Sequence, residues 1–173
     1  VRPIAVLASV GSLLAAACSS GPSPPTASVW DAASTSLALH ETGGLQGYDH
    51  MFRYQRNTRT LSLDCTRFCL VDGGYVNGVT ATEQLSSGDA AQLEAALEAL
   101  QTTAVEQCVL DGYSYQLTVS RGSRADQTFR DNTGSLLGGT GVDCSPPDAG
   151  AAEMVDMNAL YNLARLMSSF FGM

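Results

Sequence analysis

The chain contains no lysine. All 9 of its basic residues are arginine, against 17 aspartates and glutamates, for a formal net charge of −8. A surface of that sign repels phosphate backbones, so nucleic acid is excluded as an expected partner. The missing lysine reads as codon usage in a GC-rich genome and carries no mechanism. Long apolar runs are also missing: the uncharged and mostly apolar stretch near the start, residues 4–17, falls short of the roughly 20 residues a spanning helix needs. Histidine occurs twice, with no His-x-x-x-His pair, no zinc-ligand spacing and no EF-hand order of oxygen ligands. No metal and no cofactor are expected. Internal repeats are absent as well.

What is present begins with the first residues. Arg2, a short apolar core and small residues before a cysteine form the pattern of a secretory signal. The run Leu13, Leu14, Ala15, Ala16, Ala17, Cys18 resembles the lipobox of bacterial lipoproteins. That resemblance implies cleavage before Cys18, acylation of its thiol and attachment to a membrane of the cell envelope. Ser19 directly after it implies the outer membrane where the host has two. Residues 1–17 are then the signal peptide. Residues 18–28 follow as the lipidated cysteine and a semi-extended linker rich in Pro, Ser and Gly. Residues 29–173 are long enough for a single domain with its own core.

Within that domain the periodicities predict an α+β fold: an antiparallel sheet of five to six strands with two helices on one face. Strands are expected over residues 36–40, 48–54, 61–65, 68–71, 113–119 and 127–130, the second and third joined as a hairpin and the last two as another. Ser86 followed by Asp89 opens a helix carrying Leu93, Leu97 and Leu100 on one face. Met157, Leu160, Tyr161, Ala164 and Met167 lie at the spacing of a second helix.

Export makes the compartment oxidising, so the four further cysteines are read as disulfides rather than as a zinc site. Cys108 and Cys144 flank the later hairpin, and their bond would close a loop of about 36 residues worth roughly 4 kcal/mol. Cys65 with Cys69 follows by elimination and demands a turn over residues 66–68. A continuous strand would hold their Cα atoms about 13 Å apart, beyond the reach of a disulfide near 7 Å.

Catalytic candidates are few. His40 with Glu41, and His50 with Asp49, are the sites where a histidine has a carboxylate neighbour in sequence; His50 is a weak candidate, because Asp49 beside it on a strand points to the opposite face and cannot orient its ring. A site using His40 and His50 together would need the first hairpin to bring both rings to one place. Asp126, Asp131 and Asn132 are read as solvated turn residues. Arg53, Arg56 and Arg59, with Arg67, form a weak candidate binding patch on an acidic protein; charge that protects an edge strand is the plainer explanation. The expected role is therefore a non-enzymatic envelope lipoprotein that binds a partner or serves the structure of the envelope, with a hydrolase using His50 as the alternative. A deep pocket with His50 bonded to a hydroxyl or carboxylate would favour the enzyme, and a shallow surface would favour binding.

Overall fold

The computed structural model describes residues 28–43, 47–71, 74–103, 107–108, 113–134 and 153–173. The signal peptide, Cys18 and nearly all of the linker lie outside the described residues, as do Cys144 and the side chain of Cys108.

The elements in chain order are β1 (Ser36–Gly43), β2 (Tyr48–Gln55), β3 (Thr60–Arg67), β4 (Cys69–Val71), β5 (Gly74–Val76), β6 (Val79–Gln84), α1 (Ser87–Glu98), β7 (Thr102–Thr103), β8 (Gln107–Cys108), β9 (Tyr113–Ser120), β10 (Gln127–Asp131), β11 (Thr133–Gly134), β12 (Glu153–Val155) and α2 (Met157–Ser169). Eight of the strands form one sheet in the order β6-β3-β2-β1-β9-β10-β12-β7, and β4 with β5 and β8 with β11 form two small ones. The α+β class and the two helices agree with expectation. The expected antiparallel sheet of five to six strands is roughly what forms, within a larger mixed sheet: β12 joins β10 in parallel, and the sheet is extended by the six-residue β6 on one side and by β12 and β7 on the other. Two- and three-residue strands have too little periodicity to be read from sequence.

One face of the sheet carries the core. Leu37 and Leu39 of β1, Phe52 and Tyr54 of β2, Leu61 and Leu63 of β3, and Leu117 and Val119 of β9 are buried there. They share one cluster with Leu93 and Leu97 of α1 and with Leu160, Leu163 and Met167 of α2, so both helices cover the same face. Ser86 caps α1 as expected, accepting the Asp89 N–H at 3.1 Å and donating to its carboxylate at 2.7 Å. In α2, Leu163 takes the buried position that the spacing gave to Tyr161, and Tyr161 is exposed.

The chain before the sheet is tied to its apolar end. Trp30 is buried beneath Arg56, whose guanidinium carbon lies 5.3 Å above the indole. Arg56 also donates from Nε and Nη2 to Glu94 of α1 at 3.0 and 2.7 Å, and from Nη1 to the carbonyls of Asp31 and Ser34. Tyr54 donates to the other oxygen of Glu94 at 2.9 Å. Arg56 is thus a structural clamp between hairpin, helix and entry segment.

Candidate functional site

Antiparallel register places directly opposed residues on the same face of a sheet. Glu41 on β1 stands opposite His50 on β2 and opposite Tyr115 on β9, all on the core face. The carboxylate accepts from the Tyr115 hydroxyl at 2.9 Å and from His50 Nδ1 at 3.0 Å. A carboxylate accepts only, so Nδ1 carries a hydrogen. The other ring nitrogen, Nε2, is buried with no hydrogen-bond partner among the described residues. The partner of His50 is therefore across the strands, not beside it in sequence. Burial first, and the neighbouring Glu41 charge second, push the Tyr115 hydroxyl well above the usual tyrosine range.

The second histidine repeats the motif on the opposite face. His40 stands opposite Met51, and its Nε2 lies 2.8 Å from the Asp49 carboxylate. The two rings point to opposite faces, so the first hairpin does not join them in one site. Among the described residues no group of three His, Cys, Asp or Glu side chains is placed to hold a metal ion.

Above the Glu41–His50 pair lies a pocket of about 340 Å³. Its floor comes from the sheet: Glu41, His50, Tyr48 and Tyr113. Cys65, Phe68, Cys69 and Tyr75 make one wall, and α2, with Tyr161, Arg165 and Ser168, makes the other. The first wall has an identifiable construction. The β2–β3 register slips by one residue beside Asp49, and the Thr66 hydroxyl bonds the Asp49 carboxylate there. Phe68 then takes a left-handed conformation (φ 55°), held by its N–H donating to Asn77 Oδ1 at 3.2 Å. That reversal brings the Cα atoms of Cys65 and Cys69 to 5.8 Å, and the two sulfurs are bonded. It also sets the start of β4 at Cys69, one residue later than expected. The β4–β5 ribbon leaves the main sheet as a flap tied by this disulfide.

Aromatic rings dominate the pocket. Tyr48 lies 5.8 Å from Phe68, 5.4 Å from Tyr113 and 5.5 Å from the His50 ring, and Phe68 lies 6.2 Å from Tyr75. The Tyr48 hydroxyl shares hydrogen bonds with those of Tyr75 and Tyr113, and the Tyr75 bond is the first cause of its pKa rising to about 12. Tyr75 is 59% exposed and also lines the pocket. At the rim, Arg165 Nη1 donates to the Tyr161 hydroxyl at 3.1 Å, with its guanidinium carbon 5.8 Å from that ring.

The arginines of the candidate patch have separate settings. Arg56 is held in its clamp, Arg53 projects from the outer face of β2, and Arg59 sits in the β2–β3 turn with φ 52°. Since β2 is an interior strand, protection of a sheet edge does not explain Arg53 either. Asp131 and Asn132 are buried rather than solvated. The Asp131 carboxylate accepts the Tyr115 N–H, and Asn132 Oδ1 accepts the first N–H of α2 at 2.9 Å. In sequence Glu41 reads only as the neighbour of His40, and the tyrosines only as strand or helix residues, although one further signal is there: Glu41 falls on the face of Leu37 and Leu39, where a third apolar residue is expected.

No protein-family profile matches the chain, no curated protein matches it in sequence, and no solved structure matches its fold.

Proposed function

We propose that the chain is a lipid-anchored envelope protein whose domain is a non-enzymatic binding module, with the aromatic pocket as its ligand site. The anchor rests on the lipobox-like run ending at Cys18 and on the linker after it. Such a protein is held by acyl chains on Cys18, at the outer membrane where there are two, and meets its ligand or an envelope partner outside the cytoplasm. The observation that carries the binding reading is the pocket itself, five aromatic side chains over a floor with a hydrogen-bonded carboxylate. Apolar and aromatic walls with few fixed polar groups are the ordinary makeup of a small-molecule site.

A hydrolase using His50 is the second reading, favoured by the 3.0 Å Glu41–His50 contact inside a pocket. A carboxylate on Nδ1 is the arrangement that orients a catalytic imidazole. Catalysis also requires Nε2 to exchange a proton with a nucleophile or water, and here Nε2 is buried and meets no hydroxyl among the described residues. The binding reading is therefore preferred. Two measurements test it. Intact-mass analysis of the mature protein should find acyl groups on Cys18, and a free thiol there would refute the anchor. Assay against a panel of fluorogenic esters should show no turnover beyond background, and turnover abolished by His50→Gln would establish the enzyme.

A further inference from the structure

We propose that the pocket takes an organic ammonium group, a protonated amine carried on a small apolar body, with the charge held by the Glu41 carboxylate and the surrounding ring faces. This rests on the pocket being a binding site and adds the chemical class of its ligand.

The inference comes from counting what the pocket offers. Glu41 contributes a carboxylate whose two partners, Tyr115 and His50, are both donors that leave its charge in place. His50 donates through Nδ1, and an Nε2–H would be buried with no acceptor among the described residues, so the tautomer that fits carries its hydrogen on Nδ1, toward Glu41. The tyrosine hydroxyls are engaged with one another, with Glu41 and with Arg165. What remains toward a ligand is a carboxylate, the Ser168 hydroxyl and the negative faces of aromatic rings, and of these the carboxylate and the rings attract a cation. The rim gives an internal precedent, since the Tyr161 ring already holds the guanidinium of Arg165. Arg165 is also the only cation among the described lining residues. It lies at the exposed edge, away from the Glu41 floor, and an anionic ligand would have to use it. The net charge of −8 draws cations toward the domain in the same direction.

The test is calorimetric titration of the full-length protein in non-ionic detergent near pH 7. Cyclohexylmethylamine, charged at that pH, should bind about tenfold or more tightly than cyclohexylmethanol or cyclohexanecarboxylate. Equal binding of the alcohol or the carboxylate overturns the charge assignment and leaves the pocket a binding site. Binding of none of the three overturns both. Glu41→Gln, which keeps the size of the side chain, should lose about tenfold for the amine and little for the alcohol. Because Glu41 sits in a buried network, Arg165→Met at the exposed rim is the second variant: unchanged or tighter amine binding supports the proposal, and loss of binding overturns it. Competition by vesicles separates the sources of such a group. Displacement of the amine by phosphatidylethanolamine assigns a lipid headgroup, no displacement assigns a free amine, and displacement by phosphatidylglycerol instead contradicts the cation.

Discussion

The two ends of the core face are built from the same strands and do different things. At one end β1, β2 and β9 present Leu37 and Leu39, Tyr54 and Phe52, and Val119 and Leu117, all buried in one cluster with Leu93 and Leu97 of α1. Two residues further along, the same strands present Glu41, His50 and Tyr115, and then Tyr48 and Tyr113. The helix over that end lines it with Tyr161, Arg165 and Ser168, and a disulfide-tied flap replaces a close-packed neighbour. The contrast separates stability from recognition along one set of strands: dense apolar packing holds the sheet, which lets the far end carry a buried carboxylate that contributes little to holding the fold.

That division predicts where damage is greatest. Leu117→Ala, at a fully buried position in the apolar end, should lower unfolding free energy by about 2 to 5 kcal/mol, seen as a fall in the urea midpoint. A loss below about 1 kcal/mol would mean that the apolar end is not the principal source of stability.

The next effect compares two arginines that look alike in sequence. Arg56→Ala removes charged hydrogen bonds to Glu94, two carbonyl contacts and the ring contact over Trp30, and should cost about 2 to 3 kcal/mol. Arg53→Ala, exposed on the outer face, should stay within about 0.5 kcal/mol. Glu94→Gln should be strongly non-additive with Arg56→Ala, because both disrupt one network.

Removing the flap's tie acts at the other end. The double variant Cys65→Ala, Cys69→Ala opens a short loop, worth about 2 kcal/mol in the chain-entropy picture. Its sharper signature is local: amide exchange should quicken at Cys69 and over 74–76 while the amides of β1 and β9 keep their protection. Peptide mapping without reductant should recover Cys65 joined to Cys69, and, on the expectation drawn from sequence, Cys108 joined to Cys144. A uniform rise in exchange would show that the two ends do not open independently.

How much of this was legible depends on the range of the interaction that decides it. Ser86 and Asp89 marked the start of α1 because a helix cap is settled within four residues, and β9 was legible from strict alternation. The turn between Cys65 and Cys69 followed from disulfide geometry alone. The Glu41–His50 contact did not, because it depends on the register of β1 against β2, and the intervening residues do not fix that by any turn rule. Asp131 and Asn132 were misread for the same reason: their backbone partners, Tyr115 and Met157, are far along the chain.

The smallest expected effect compares the two histidine–carboxylate pairs, one on each face of the same two strands. The outer pair is exposed, with 33% of the His40 side chain and 43% of the Asp49 side chain accessible, against 16% and 11% for His50 and Glu41. Water and salt screen the outer pair, so Asp49→Asn near neutral pH should cost only a few tenths of a kcal/mol. The Thr66 hydroxyl first, and His40 second, hold the Asp49 carboxyl below the usual aspartate range. A carboxyl depressed in the folded state adds stability above its unfolded pKa, near 3.9, and that increment disappears as pH falls through the lower folded value. The urea midpoints of the wild type and Asp49→Asn should therefore differ slightly from about pH 5 upward, the gap narrowing below about pH 4 and closing only below the depressed folded value. A gap of more than about 1 kcal/mol at neutral pH would show that the outer pair is shielded from solvent like the inner one, and the distinction between the two faces would fail.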